Sequence, residues 1–540
     1  VTRHSDTATK APVREDSARQ FARHVAVVWL SFLVFSFWQA PIPAVNEPHW
    51  LTKAKHYWQP EWCSEDFFLA SSNTHLVYYQ TVGKLTTVLS FTETAVIGRL
   101  LGYLLLAVGW TSFCRSATGR IESAFPAAWL FLLLASIGNL SGEWLVSGIE
   151  GKVFSYGFVF LGLASLLEAR WIRAGLFTGL GIAFHPLIGI WNVIAYGTAV
   201  VFAPVSRSER RVSPTKIVET VQRPQFLAGA AILFVISLAG VLPALQAVGG
   251  ANPDNIRIAN YLQVFHRLDH HLDPMEFAGW RYGMYLTLAA VAWLLLRYGE
   301  NRRQMTWLGR IVLASIVIAA AGWVIGYRDS SIPDGELFEK MPFYDLRSGL
   351  LKFYPFRLVD VLLPVLVAIL LARHVTSRLD HLHPRAIRIS LVTAIVVSLW
   401  LANGRGSVNR MSPQQQADWI EACQWIRDNT DEDSLVHTPR QTWAFKWFAQ
   451  RAEYVALKDC PQDVAGIIEW NKRLNGIGDW AIENYADGIY SREETAALHQ
   501  EKGITHLLVR RLGPFEANPD FRNSTYRIYR IQSGSTSRDY

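Results

Sequence analysis

Charge is scarce in this 540-residue sequence: Asp, Glu, Lys and Arg make up 18% of it, where a soluble domain carries about 25%. Half of the residues are hydrophobic, which excludes a disordered chain, because disorder needs low hydrophobicity and high net charge. Cysteine is nearly absent. The four present, Cys63, Cys114, Cys423 and Cys460, form no Cys-x-x-Cys pair, so neither a disulfide-stapled secreted scaffold nor a zinc-ribbon site fits. Cys423 and Cys460 share the C-terminal region, where an oxidising compartment can link them, and their separation leaves the geometry open. With 37 Gly and 23 Pro, the composition is also far from that of a collagen.

What is present instead is a series of apolar runs of bilayer length. A spanning helix takes about 20 mostly apolar residues. Such stretches fall near 25–42, 93–113, 122–139, 152–168, 172–186, 188–204, 226–245, 281–297, 306–327, 357–373 and 387–403. The segment from Trp171 to Pro204 is too long for one span and short for two, and predicts a tight hairpin turning at His185-Pro186. The expected fold class is an α-helical polytopic membrane protein with about 11 transmembrane helices and a small C-terminal α/β domain. Its expected parts are a cytoplasmic tail (1–24), a transmembrane domain (25–403) with interfacial helices in the first external loop (43–92), and an extracytoplasmic domain (404–540).

The net charge of +7 follows this layout rather than marking a nucleic-acid surface. Arg3, Lys10, Arg14, Arg19 and Arg23 precede the first span, Arg115 and Arg120 follow the second, and Arg170 and Arg173 follow the fourth. Arg207, Arg210, Arg211, Lys216 and Arg223 follow the sixth, Arg297, Arg302, Arg303 and Arg310 the eighth, and Arg373, Arg378, Arg385 and Arg388 the tenth. With eleven spans every cluster lies on one side, and the positive-inside rule makes that side the cytoplasm. The first span lacks a small-x-small cleavage site before Pro41-Ile42-Pro43 and is expected to stay as an anchor. The expectation is an integral protein of the inner or plasma membrane, with the bilayer as its partner and no nucleic acid.

The opposite loops are rich in acids. In Asn46-Glu47-Pro48-His49-Trp50-Leu51-Thr52-Lys53-Ala54-Lys55-His56-Tyr57-Trp58, apolar residues recur at 50, 51, 54, 57 and 58, the spacing of one helical face. Asn46 suits the cap and Pro48 the first turn. The pattern predicts a helix lying in the membrane interface, with Glu47 in its first turn, where the helix dipole favours the ionised carboxylate. A carboxylate there is placed to act as a general base toward an acceptor hydroxyl; its alternative is a plain helix cap. A second interfacial helix is expected from Asp66 through Tyr79.

Three further constellations lie on the same side. Glu143, Glu150 and Lys152 border glycines in an apolar setting, where charges are costly unless paired or functional. Glu143 is the better second acid, while Glu150 and Lys152 can pair with one another. In His266-Arg267-Leu268-Asp269-His270-His271 the first two histidines, His266 and His270, are four apart, so a helix would present both to a divalent metal ion. Two aligned histidines fall short of a zinc set, and Arg267, His270 and His271 also suit an anionic head group. Arg357 and Asp360 open the tenth span, either as a local ion pair or with the guanidinium facing phosphate oxygens. The C-terminal region predicts a helix at 413–428, strands at 435–437, 454–457, 506–509 and 526–529, and helices near 461–474 and 492–502. It holds no glycine-rich phosphate loop, and Thr438, Arg451 and Lys458 either reach toward the membrane site or pair locally.

Taken in order, Asn46-Glu47-Pro48-His49-Trp50-Leu51, Asp66-Phe67-Phe68, Gly142-Glu143-Trp144 through Lys152, His185-Pro186, His270-His271 and Phe356-Arg357-Leu358-Val359-Asp360 resemble the GT-C superfamily of lipid-linked-sugar glycosyltransferases. The resemblance spans most of the membrane region. It implies a polyprenyl-phosphate-linked sugar as donor, an extracytoplasmic acceptor, Glu47 as the base and Glu143 as a second acid. Asp66, His185, Arg267, His270, His271 and Arg357 are then the substrate-binding candidates. The chain departs from the family in having no Trp-Trp-Asp-Tyr-Gly signature and no Asp-Glu pair after the first span. A transporter or flippase, or a non-catalytic envelope protein, is the alternative reading.

Overall fold

The computed structural model describes residues 12–137, 139–201, 221–298, 303–378, 383–403, 411–440, 443–485 and 487–531. Of the basic residues assigned above to one side, Arg3, Lys10, Arg207, Arg210, Arg211, Lys216 and Arg302 lie outside these, as does the end of the expected span 188–204.

Each of the eleven apolar stretches is helical. In chain order the helices are α1 (Pro12–Gln39), α2 (Glu47–Trp58), α3 (Phe67–Ala70), α4 (Leu76–Gln80), α5 (Phe91–Thr118), α6 (Ala124–Ile137), α7 (Gly151–Leu167), α8 (Trp171–Phe184) and α9 (Pro186–Val201). There follow α10 (Pro224–Val248), α11 (Pro253–Tyr261), α12 (Asp269–Leu272), α13 (Gly279–Tyr298), α14 (Arg303–Gly326), α15 (Leu337–Lys340), α16 (Tyr344–Leu351), α17 (Arg357–Ser377) and α18 (Pro384–Ala402). Six of them, α1, α5, α10, α14, α17 and α18, are long and apolar enough to cross a membrane, which makes the chain an integral membrane protein. The helices at 121–137, α7 and α8 are shorter apolar helices.

The helices are assembled around α17, whose residues from Leu358 to Leu370 are buried. The segment 171–201 does fold back on itself: α8 and α9 are joined by the single extended residue His185, and Thr178 of one arm and Tyr196 of the other line one apolar cavity. Leucines and phenylalanines exposed on α10, α13 and α14 form the apolar exterior that a bilayer solvates.

The connecting segments separate into two groups. At one end Arg120 donates to the Thr376 carbonyl at 3.1 Å and Gln20 to Glu122 at 3.2 Å, and the basic residues Arg115 and Arg120 lie there. At the other, the segments 40–90, 139–150, 249–278 and 327–356 converge with His185. Arg281 donates to the Leu140 carbonyl at 3.1 Å, Trp191 to Phe353 at 2.6 Å, and His271 to Ser141.

Two helical expectations are corrected in this second group. The helix expected from Asp66 to Tyr79 is two short ones, α3 and α4, split at Ser71–His75. The 266–270 stretch is not one helix either, because Leu268 leaves helical conformation (φ −121°, ψ 27°) between a wide π-turn and α12. His266 and His270 therefore do not share a face, and among the described residues no group of three or more His, Cys, Asp or Glu is gathered to hold a metal.

The C-terminal region forms a five-stranded sheet: β1 (Leu435–His437), β2 (Ala452–Glu453), β3 (His506–Val509), β4 (Phe521–Arg522) and β5 (Arg527–Arg530), in the order β2-β1-β3-β5-β4. The strand expected at 454–457 is displaced to the short β2. β1 is parallel to β2 and β3, and β5 antiparallel to β3 and β4. Helix α19 (Pro413–Asn429) presses Trp419, Ala422, Cys423 and Ile426 onto one face of the sheet, against Val436, Leu508 and Ile528. After the short α20 (Phe445–Ala449), helices α21 (Val464–Glu483) and α22 (Arg492–Lys502) cover the other face, with Trp470, Leu474 and Leu498 against Leu435, Leu507 and Tyr529. Cys423 and Cys460 sit in separate cores and all four cysteines are free thiols, so the linkage that the sequence left open is not formed. The second core continues into Phe68, Leu69, Ala259 and Leu262, which seats the sheet unit directly on the loops of the membrane region.

Candidate functional site

The site grows from α2. Its N-terminus forms as expected around Pro48, but Asn46 makes no capping bond; its amide reaches Glu150 at 3.4 Å instead. Nor does the polar face of α2 meet water. Glu47, His49, Thr52 and Lys53 are all buried: α5 closes over Glu47, the α3 turn over Lys53, and the sheet unit over His49 through Asp459. Lys53 donates to the carbonyls of Phe68 and Ser71 at 2.7 and 3.1 Å, which spends its charge on holding the α3 turn.

Glu47 is fully enclosed, at 0% exposure. Arg99 of α5, equally enclosed, donates to both of its oxygens, Nε to Oε1 at 2.7 Å and Nη2 to Oε2 at 2.9 Å. The backbone N–H groups of Ala44 and Ile149 complete the set at 2.7 and 2.9 Å. Gly148 makes this possible: a Cβ there would lie 2.6 Å from Ala44 Cβ and 3.0 Å from Glu47 Cγ. Four donors on one carboxylate leave no lone pair directed at a substrate, so Glu47 as placed is a clamp between α1, α2, α5 and the 139–150 loop. Asp66 is enclosed in the same way. It caps α3 through Leu69 N at 2.9 Å, accepts from Glu453 N at 3.0 Å and lies 3.4 Å from Lys446.

The groups that do face one another are drawn from four parts of the chain. Arg357, opening α17, pairs with Glu143 at 2.8 Å and not with Asp360. Asp360 instead accepts from Leu140 N, Ser141 N and the Tyr285 hydroxyl, and so fixes the loop that carries Glu143. Lys152, opening α7, lies 3.0 Å from Glu150 and 3.5 Å from Glu143, with its ammonium over the Trp144 ring. Glu150 also accepts from Trp50 Nε1 at 3.0 Å. Glu150 Oε1 and Glu143 Oε1 both face the Lys152 ammonium, whereas His185 Nδ1 is buried without a hydrogen bond among the described residues, which is costly unless something else enters. Burial pushes the Glu143 carboxyl above its ordinary range against the pull of Arg357 and Lys152. For Glu150 burial acts the same way, but Lys152, Arg357 and the Trp50 N–H together outweigh it and the net shift is downward.

An aromatic and imidazole wall joins these charges to the sheet unit. The rings of His49, Trp50, His75 and His185 follow one another with centroid separations of 4.7, 4.5 and 5.0 Å. Burial holds His75 down to about 4 and, with the neighbouring His270, His271 to about 3, so both are neutral imidazoles at physiological pH. The ring of His271 packs on Gly142, whose φ of +78° and missing Cβ (2.7 Å from that ring if present) admit no other residue without strain. His270 points away, exposed and bonded to Asp269 at 2.9 Å.

Arg267 donates to the Lys458 carbonyl at 3.0 Å, and the Lys458 ammonium lies in the same field as Arg267, Lys152 and Glu150. Burial, then Arg267, lowers the Lys458 ammonium to about 8. Asp459 beside it pairs with Lys446 at 2.7 Å and with His49 at 2.9 Å. Thus the Lys458 carbonyl meets Arg267 of the membrane region, while Thr438 and Arg451 bond locally, to Glu453 and to the carbonyls of Arg427 and Thr430.

Of the residues singled out from the sequence, Glu143, His185, Arg267, His271 and Arg357 come together, whereas Glu47 and Asp66 are walled in and His270 lies outside. Sequence reasoning missed Arg99, His49, Asp459 and Lys446. Arg99 had a readable signal, as a lone arginine inside an apolar run; the others depend on contacts across roughly 400 residues.

Comparison with known proteins gives a fold and little else. A domain of unknown function, DUF6798, matches residues 417–477, the part of the sheet unit from α19 into α21. No curated protein matches the sequence. Among solved structures, the arabinofuranosyltransferase AftD from Mycobacteria is similar, with a TM-score of 0.50 at 16% identity over 95% of this chain and 42% of that one. The chain therefore spans less than half the length of that enzyme.

Proposed function

We propose that this protein is a membrane glycosyltransferase of GT-C type, which moves a sugar from a polyprenyl-phosphate donor to an acceptor hydroxyl in the cleft between the helical bundle and the sheet unit. The observation that carries this reading is the gathering of Lys152, Arg267, Arg357 and Lys458 at the head of the apolar helices, where the loops meet the sheet unit. Among the described residues only the first and third of these have carboxylate partners. The structural likeness to an arabinofuranosyltransferase supports it and makes arabinofuranose the first sugar to test. The orientation that follows has eleven spans, residues 1–24 in the cytoplasm, and the cleft and residues 404–540 outside it.

In an inverting transfer, negative charge develops on the departing lipid phosphate, and fixed cations in a site poor in water stabilise it without reorganising. Arg357 offers the planar fork that phosphate oxygens favour, and Glu143 is its positioning residue, holding the guanidinium by Nε. Lys152 stands between Glu143 and Glu150 as a built-in cation. Glu47, in this proposal, secures the wall of the cleft and does not touch substrate.

The test is turnover by purified protein in nanodiscs with a panel of farnesyl-phosphoryl pentoses and hexoses and alkyl glycoside acceptors. Release of farnesyl phosphate together with a glycosylated acceptor is expected for at least one donor. Arg357→Ala should lower kcat by about 10²–10³, the usual cost of one preorganised charge-stabilising donor. Absence of transfer from every donor by well-folded protein would overturn the reading.

A further inference from the structure

The enclosure of Glu47 leaves the proposed reaction without a proton acceptor on that residue, and the geometry points to His49 in its place. We infer that His49 and Asp459 form a dyad in which the His49 Nε2 atom takes the proton of the acceptor hydroxyl. This rests on the transferase reading and assigns a further catalytic residue to it.

The dyad is assembled from opposite ends of the chain. His49 Nδ1 donates to Asp459 Oδ1 at 2.9 Å across 410 residues of sequence. Asp459 is itself fixed through its other oxygen by Lys446 at 2.7 Å, and Lys446 is anchored by Glu453 at 3.0 Å. The imidazole packs against two rings, tilted 4.5 Å from that of Phe68 and edge-to-face 4.7 Å from that of Trp50. With Nδ1–H committed to the carboxylate, Nε2 is the basic nitrogen, and it has no hydrogen bond among the described residues. A carboxylate behind the imidazole fixes the tautomer and stabilises the imidazolium once formed, as in hydrolase triads. An interdomain latch alone would need neither an unbonded Nε2 nor cations beside it.

The surroundings fit this task. Groups facing the ring are Asp459 and Lys458 from the sheet unit and Arg267 from the turn before α12. His75 lies across Trp50, and Lys53 is one helical turn further along α2. Burial lowers His49, opposed by the bond to Asp459, with Lys458 and Arg267 adding to the lowering. The lowering leaves the imidazole neutral at pH 7, and Lys458 and Arg267 stand beside it as cations for a phosphate.

The step balances. As the acceptor O–H gives its proton to Nε2, its oxygen forms the bond to the anomeric carbon. The bond from that carbon to the phosphate oxygen breaks, and the electron pair leaves with the lipid phosphate. The imidazolium then returns its proton to water.

The experiment uses full-length protein in nanodiscs with farnesyl-phosphoryl arabinofuranose and an octyl glycoside acceptor, next to the rest of the donor panel. In His49→Gln the side-chain amide can still donate to Asp459, so the latch between α2 and the sheet unit survives. The expected result is a loss of kcat of about 10²–10⁴, the range for general-base catalysis, with donor KM changed less than about threefold. The acid limb of the wild-type pH–rate profile should vanish in His49→Gln and move to lower pH in Asp459→Asn. Added imidazole restoring turnover to His49→Ala would support the assignment, since a structural latch does not respond to it. A His49→Gln enzyme that keeps wild-type kcat, or keeps the acid limb, overturns the dyad while leaving the transferase reading standing. A wild type inactive on the whole panel removes the reading itself.

Discussion

Glu47→Gln separates a clamp from a base. The carboxylate receives four hydrogen bonds at 2.7–2.9 Å, two of them from a guanidinium that is itself fully enclosed. An amide keeps one acceptor oxygen and turns an NH₂ toward donors, so Arg99 is left as a buried cation without its counter-charge. Removing one partner of a buried pair costs about 3–5 kcal/mol. At roughly 1–2 °C per kcal/mol, scaling down for a chain of this size, the thermal transition should fall by about 5 °C, read by intrinsic fluorescence in detergent. Arg99→Met should cost a similar amount. Glu47→Leu combined with Arg99→Met should recover part of it, because the pair taken together is replaced by apolar volume. Well below these transitions, Glu47→Gln should keep kcat within about tenfold, against the 10²–10⁴ of a lost general base. A variant with unchanged thermal stability and abolished turnover would refute the clamp and return the base to Glu47.

Three further outcomes follow from the same geometry. Lys458 is charged only below about 8, so affinity for farnesyl phosphate should weaken as pH rises from 7 to 9, and Lys458→Met should remove that dependence in a titration. His75 and His271 are held neutral to about 4 and 3, whereas an unfolded histidine takes its proton near 6.5. The unfolded chain then binds more protons, so stability should fall as pH drops from about 6.5 to 4, and His75→Asn should make that fall shallower in thermal scans. Lys446→Met leaves Asp66, Glu453 and Asp459 without their shared cation; a loss of about 3–5 kcal/mol should appear as faster hydrogen exchange in both the 66–75 loop and the sheet unit.

The apolar stretches, their helical state and the loops that belong together are properties of local composition, which is why they could be read directly: a run of about 20 apolar residues cannot satisfy its backbone in a bilayer except as a helix. The sheet unit was legible in outline for the same reason, through its alternating helix and strand patterns. Arg357 and Glu143 were readable because charge beside an apolar run is costly enough to signal a partner. The choice of partner was not readable. Arg357 takes Glu143 rather than Asp360, three residues away, and Glu47 takes Arg99, 52 residues on. Helix α2 looked amphipathic enough for a water-facing surface, but α5, the α3 turn and the sheet unit together cover its polar face.

What composition and periodicity determined by themselves is a polytopic helical membrane chain with polar groups gathered at one end. Tertiary structure alone decided which of those groups are sealed and which remain open. That division depends on the sheet unit docking over α2, which encloses Lys446 and the Asp66 carboxylate and brings Asp459 to His49. Burial and pairing are set by atoms hundreds of residues apart, and a one-dimensional pattern carries no record of such contacts.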